Sequence, residues 1–332
     1  MPHGRNHDQI VRIRGRQFPY LEKRRVGSTT YFLLEQIGST LRQRFKAFDT
    51  KAGPGGSYVL LQDWTDEPGS EQYLKVLWKL KDDGFPRVIN YQRTSEGFVC
   101  ILTWIDGISL EEYLKNIRTS RRPPVDATEA VRLIHGLANS VSRLSGRLGL
   151  THGDIQPANI ILTQNTSRLV LIDFGSASST QALNERTEGD GRHRYYAAPE
   201  QWIENSPVRF HADQFSVSAI FYELLTQQIP YEGMGGRAGR PSHIAENNGR
   251  LKPPSDLSQS CRNLPRSLRQ RLDDVVCKGL ALKPEDRFAS PRQWVDELFQ
   301  IQARLRLTPD LSQTDGVLTQ VIEWIIRHTI KR

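Results

Sequence analysis

Between Tyr31 and Asp63 short apolar runs alternate with turn residues. YFLLEQIG, RFKAFD and YVLLQD are separated by polar breaks and by the Gly-Pro-Gly-Gly turn at 53–56. That spacing predicts an antiparallel meander. Over residues 71–81 the period changes: Leu74, Leu77 and Leu80 fall three residues apart and predict an amphipathic helix. VINYQ (88–92) and FVCILTWI (98–105) read as two further strands, ended by Gly107. Beyond that point the pattern is mostly helical. Asp126, with Glu129 three residues on, forms a cap-like start, and Leu133, Ile134, Leu137, Val141, Leu144 and Leu148 keep helical spacing. Phe215 to Leu225 is apolar on most faces, which predicts a helix central to its lobe. Helices are also expected over 264–281 and 291–305. Residues 232–254, aperiodic and rich in Gly, Arg and Pro, are expected to form a surface loop. Strands with one helix, followed by helices, describe an α+β fold in two lobes, not an alternating parallel-sheet fold.

Composition narrows the class. The 332 residues are 37% hydrophobic and 8% aromatic, enough for a sizeable core, which excludes disorder throughout. No stretch approaches the roughly 18 uninterrupted apolar residues of a membrane span, and the charged N-terminus lacks the apolar core of a secretory signal. Cys100, Cys261 and Cys277 are odd in number and far apart, neither a disulfide framework nor a zinc spacing. The expectation is a soluble, cytoplasmic protein. Of the net charge of +8, five units come from residues 1–26, with seven basic and two acidic side chains. Residues 1–30 read as a solvated, partly ordered basic leader. Nucleic-acid contact by this leader is the weaker alternative, since no zinc finger, helix-turn-helix or aromatic-glycine motif accompanies it.

The chemistry concentrates in THGDIQPANIILTQNTSRLVLIDFGSA, residues 151–177. Asp154 precedes Asn159 by five positions with Pro157 between them, and Asp173 follows the short apolar run LVLI. Phosphoryl transfer needs one carboxylate near the acceptor hydroxyl and oxygen ligands for magnesium, and these three residues supply that set. Here the chain resembles the protein-kinase family, over about residues 31–300. The resemblance implies ATP and Mg²⁺ as cofactors, with Asp154 orienting or deprotonating the acceptor hydroxyl and Asn159 and Asp173 holding magnesium. His152 and Gly153 stand with Asp154 in the catalytic-loop motif. Ala198-Pro199-Glu200 matches the end of the activation segment, here 173–200. Asp213 resembles the buried aspartate of the central helix, and Arg287 the arginine that pairs with Glu200. Leu102 stands at the gatekeeper position, and Thr103, Trp104 and Ile105 supply the adenine-facing backbone. The implied organisation is a leader (1–30), a kinase-like domain (31–300, lobes 31–105 and 106–300) and a helical tail (301–332). The amphipathic VLTQVIEWIIRH at its end is expected to dock on its own domain, with docking on a partner the weaker alternative.

Several positions depart from the family's pattern. Gln62 stands where the phosphate-binding lysine belongs, with Leu60 turned the same way along the strand. The lysine's glutamate partner falls near Tyr73, with Glu71 two residues away. Gly38 remains of the glycine-rich loop, while Thr40 and Gln43 occupy the approximate sites of its other glycines. Arg42, Arg44 and Lys46 on this hairpin read as solvated charges; the alternative is that one of them replaces the lysine. In the catalytic loop Gln156 takes the position of a lysine, His193 that of a threonine, and Gly153 that of an arginine. The last change argues against control by loop phosphorylation. The leading expectation is a serine/threonine-type protein kinase acting on a protein substrate. The alternatives are a pseudokinase scaffold or nucleotide-binding regulator with a regulatory protein partner, and a small-molecule kinase of the aminoglycoside/choline phosphotransferase type.

Overall fold

The computed structural model describes residues 9–37, 43–53, 55–65, 74, 77–78, 80, 82–95, 97–174, 177–179, 193–203, 205–240 and 251–307. The chain opens with a hairpin, β1 (Ile10–Ile13) and β2 (Arg16–Pro19). A six-stranded antiparallel sheet follows, made of β3 (Glu22–Val26), β4 (Thr29–Gln36), β5 (Arg44–Asp49), β6 (Ser57–Thr65), β7 (Val88–Arg93) and β8 (Gly97–Thr103), in the order β3-β4-β5-β6-β8-β7. Partners in an antiparallel ladder point to the same face. The register aligns Lys46, Leu60 and Leu102 in one row and Arg44, Gln62 and Cys100 in another on the same face. The row between them, Phe45, Leu61 and Ile101, faces the other way and packs with Val26, Tyr31, Leu33, Ala47 and Val59. Leu74, Leu77 and Leu80 are buried, and Leu74 and Leu77 lie in helical turns. Leu74 packs with Phe98, Cys100 and Leu102, which puts the helix on the Arg44–Gln62 face.

Residues 10–26, expected as a solvated leader, are built into the structure. Val11, Ile13 and Tyr20 are buried against Phe48, and Val26 enters the sheet core. The arginines between them, Arg12, Arg14 and Arg16, face solvent. β3 is an edge strand of the main sheet, and Arg24 reaches across to Asp63 at 2.9 Å. Alternate positions thus satisfy water and core separately, while net charge registers only the outward half.

The second lobe is helical: α1 (Leu110–Arg118), α2 (Ala127–Leu148), α3 (Phe210–Thr226), α4 (Arg266–Gly279) and α5 (Pro291–Leu307). Asp126 caps α2, accepting the Glu129 amide at 2.8 Å. The return half of a capping box is missing, because the Glu129 carboxylate is taken by Arg132 at 2.6 Å. Every residue of α3 except His211 is buried, which makes it the centre of the lobe. Gly107 does not end the strands; it opens β9 (Gly107–Ser109), which pairs with β11 (Ile160–Thr163), and β11 in turn pairs with β12 (Leu169–Leu171). A Cβ at Gly107 would run into the Leu162 carbonyl. A two-residue ribbon joins β10 (Leu150–Thr151) to β13 (Ser178–Ser179).

Within the 232–254 stretch, Gly235–Gly239 differs from a surface loop. Residues Gly235–Gly239 form a 3₁₀ turn whose Gly235, Gly236 and Ala238 are buried. A Cβ on Gly236 would strike the Ala197 carbonyl, so the turn lies directly against the end of the activation segment. Residues 241–250 and the tail beyond Leu307 lie outside the described residues.

Glu200 and Arg287 lock this lobe. Arg287 donates to both Glu200 oxygens at 2.7 and 2.9 Å, and its remaining donors reach the carbonyls of Ala281, His211 and Leu282. Both residues are buried. Removing one partner strands the other charge without water. Arg287→Ala is expected to cost about 3–5 kcal/mol in urea unfolding. Arg287→Lys should recover less than half of that, because an ammonium cannot reproduce the planar fork. A loss under about 1 kcal/mol, the worth of an exposed pair, would remove the clamp from this account.

Candidate active site

The loop between β10 and β11 is held from below by α3. The backbone N–H groups of His152 and Gly153 donate to the two oxygens of Asp213 at 2.7 and 2.9 Å. Gly153 adopts φ +75°, a left-handed conformation that a side chain at this position would strain. Its carbonyl accepts from the Gln201 side chain at 2.8 Å, joining the loop to the segment after Ala198. Burial pushes the Asp213 carboxyl up to about 7 against the pull of the two amides. Burial also depresses the His152 imidazole to about 4. The His152 ring packs on Phe174 at 5.1 Å, and its Nε2 lies 3.1 Å from the Ile172 carbonyl.

Asp154 is held at both carboxylate oxygens. Gln156 Nε2 donates to Oδ1 at 2.8 Å and Asn159 Nδ2 donates to Oδ2 at 2.9 Å. Pro157 starts a 3₁₀ turn, Pro157–Asn159, that brings Asn159 back toward Asp154. The Asn159 carbonyl accepts the Ile172 amide at 2.8 Å, which brings Asn159 beside Asp173 across the two strands. Asp173 itself adopts φ +63°, a left-handed conformation that aspartate tolerates better than most residues.

The opposite wall is the face of the main sheet that carries Arg44 and Gln62. Arg44 Nη2 donates to Asp173 Oδ2 at 2.5 Å, an ion pair between two largely shielded side chains. Gln62 is buried, and among the described residues its Nε2 has no hydrogen-bond partner; the same is true of Arg44 Nε. An unpaired buried donor costs roughly 1–3 kcal/mol. Arg44 is therefore not simply a solvated charge. Lys46 is engaged too: its Nζ sits 4.8 Å from the Tyr58 ring centroid and 4.7 Å from that of Trp104. Leu60 and Leu102 line the same face, packed with Cys100 and Leu74. Thr103 ends β8 with its N–H on the Arg87 carbonyl at 2.9 Å, Trp104 Nε1 donates to Asp106 at 2.8 Å, and Ile105 is half-buried. Gly38, Thr40, Arg42, Glu71 and Tyr73 lie outside the described residues.

On the far side of Asp154 a cavity of about 140 Å³ is lined by Glu111, Arg118, Gln156, His193, Tyr195 and Tyr196. Gln156 and His193 thus meet at one cavity. Beneath it Tyr196 donates to the buried Glu223 at 2.6 Å, and Arg118 reaches the same carboxylate at 3.3 Å. Sequence reasoning singled out neither Glu223 nor Gln201, because each is joined to the site only through the fold.

Residues 70–299 match the family model described as the protein kinase domain. The chain belongs to the protein kinase family. It is 30% identical over 188 residues to the serine/threonine-protein kinase PknH of Mycobacterium bovis, which covers 56% of this chain and 28% of that protein. It is 25% identical over 284 residues to the serine/threonine-protein kinase PknE of Mycobacterium tuberculosis, covering 83% of this chain and 45% of the relative. Against the tyrosine-protein kinase MasK of Myxococcus xanthus it is 26% identical over 230 residues, 64% of this chain and 33% of that protein. The chain therefore spans less than half the length of these curated relatives. Family membership favours the protein-kinase reading over the small-molecule kinase alternative. Among the described residues no helix is long and apolar enough to cross a membrane.

The depressed His152 makes a pH prediction. In the folded chain the ring stays neutral to about pH 4, whereas in the unfolded chain it takes a proton near pH 6.5. The unfolded state then binds more protons, so this residue's contribution is complete above about pH 6.5 and is lost as pH falls toward 4. His152→Phe fills the ring volume without a titratable group. Urea unfolding between pH 7 and 4.5 should show a shallower acid loss in the variant, by up to about 1.4 kcal/mol per pH unit. The drift of Asp213, of opposite sign, is common to both proteins. Equal slopes would mean that His152 is not held neutral.

Proposed function

We propose that this chain transfers the γ-phosphate of ATP, with Mg²⁺, to a hydroxyl group of a protein, as a serine/threonine-type kinase. The observation that carries the reading is the Asp154 carboxylate, held at both oxygens by the Gln156 and Asn159 amides on a loop hydrogen-bonded to the strand end at Ile172. A carboxylate fixed in this way takes up the proton of an acceptor hydroxyl as the hydroxyl oxygen bonds to the γ-phosphorus and the bond from that phosphorus to ADP breaks. Asn159 commits its NH₂ to Asp154, which leaves its amide oxygen as a hard donor next to the Asp173 carboxylate. Two hard oxygen donors suit Mg²⁺, which keeps its remaining positions for phosphate and water. The bound ion would supply charge compensation for the triphosphate. The orphaned Gln62 amide fits a phosphate oxygen as its missing acceptor.

Gln156 gives direction without charge. It orients Asp154 but offers no cation to the transferring group, so this function falls to the metal and to the opposite wall. The cavity beside Gln156 and His193 is where the acceptor side chain enters.

With γ-labelled ATP, Mg²⁺ and a mixture of generic protein substrates, the parent chain should transfer label, and Asp154→Asn should transfer at least about 10²-fold less. ATP binding should survive that substitution within a few-fold. Label retained by Asp154→Asn would remove Asp154 from its role. Phosphoamino-acid analysis of the product distinguishes a serine or threonine acceptor from tyrosine.

A further inference from the structure

We infer that Arg44 is the cation that grips the nucleotide phosphates in this cleft, from the strand next to the one carrying Gln62, and that without nucleotide it rests on Asp173. The inference deepens the reading above and rests on it. Arg44 and Gln62 are direct partners in the β5–β6 ladder, so both side chains leave the sheet from the same face with neighbouring Cβ atoms. A long side chain at either position commands the same volume. The guanidinium is already in that volume, since its Nη2 lies 2.5 Å from Asp173 Oδ2.

Two further donors await a partner. Arg44 Nε and Gln62 Nε2 are both buried with no hydrogen-bond acceptor among the described residues. Among the described residues nothing accounts for two orphaned N–H groups beside one ion pair. A polyanion in the cleft accounts for both, because phosphate oxygens accept from a guanidinium fork and an amide together. Lys46, the other described cation on the hairpin, lies in the next row of the same face beside Leu60, with its charge over the Tyr58 and Trp104 rings. It is therefore not placed at Asp173.

Arg44 and a metal ion compete for one carboxylate. Nucleotide with Mg²⁺ offers an exchange in which Asp173 passes to the metal and Arg44 to the phosphates, so each charge leaves one opposite partner for another. Phosphate and metal should consequently assist each other's binding, reciprocally.

The test compares Mg·ATP and adenosine binding by calorimetry for the parent, Arg44→Ala, Arg44→Lys and Lys46→Ala, with circular dichroism confirming the fold of each. Arg44→Ala should weaken Mg·ATP at least about 10-fold while changing adenosine less than about 2-fold. Arg44→Lys, which keeps the charge and loses the fork, should fall between the parent and Arg44→Ala, and Lys46→Ala should show no phosphate-selective loss. Unchanged Mg·ATP affinity in Arg44→Ala overturns the assignment. Tighter binding also overturns it and makes the ion pair a latch alone, and equal losses for ATP and adenosine reduce Arg44 to a structural role. Should the parent itself bind no nucleotide, the kinase reading falls and this assignment with it. Parent binding that is indifferent to Arg44 leaves the kinase reading standing and defeats this assignment alone.

Discussion

A carboxylate without access to water, Asp213, fixes the course of the catalytic loop. It accepts two successive backbone amides, which is geometrically open only because Gly153 turns through a left-handed conformation. Burial of α3 on nearly every side sets where that carboxylate sits, so the packing of the lobe's central helix is transmitted directly to the loop. The rest follows from that anchor. Asp154 emerges next, its oxygens reached by donors two and five residues on, and the Asn159 carbonyl ties the loop to the strand that ends at Asp173. The two amides offset part of the cost of burying the Asp213 carboxylate, which burial nonetheless pushes up to about 7.

The upper wall illustrates how an antiparallel sheet distributes chemistry. What the ladder preserves is a face and a row, not the strand from which a side chain comes. A neutral residue at Gln62 therefore does not make the cleft neutral, since the same row carries Arg44. Its pairing with Asp173 links the two lobes by a charge contact, while His152, Phe174 and Phe85 form the aromatic contacts beside it.

Legibility in the sequence followed the range of the interaction. Leu74, Leu77 and Leu80, the long run of α2 and the apolar α3 were readable because each repeats a local period many times. The catalytic loop was readable because its chemistry is a matter of spacings within a few residues. The leader was not, because arginines at alternate positions dominate its composition while Val11, Ile13 and Val26 do the packing. Gly235 and Gly236 read as loop in the sequence because glycines that pack by lacking a side chain leave no apolar signature. Whether Arg44 or Lys46 reaches Asp173 is a question of β5–β6 register, a long-range property that a list of neighbouring residues does not contain.

The hairpin and the first strands also bear on where this molecule can be divided. The stretch that matches the family model begins at residue 70, after β1 to β6 have already been laid down. A fragment cut there keeps β7 and β8 and loses β6, the neighbour to which β8 is paired along its whole length from Gly97 to Thr103. It would expose one edge of a two-stranded ribbon and the face on which Ile101 packs with Leu61 and Val59, while Leu74 stays on the other face, and would leave Asp173 without its arginine. The recognisable part of the chain therefore contains only part of the sheet it belongs to.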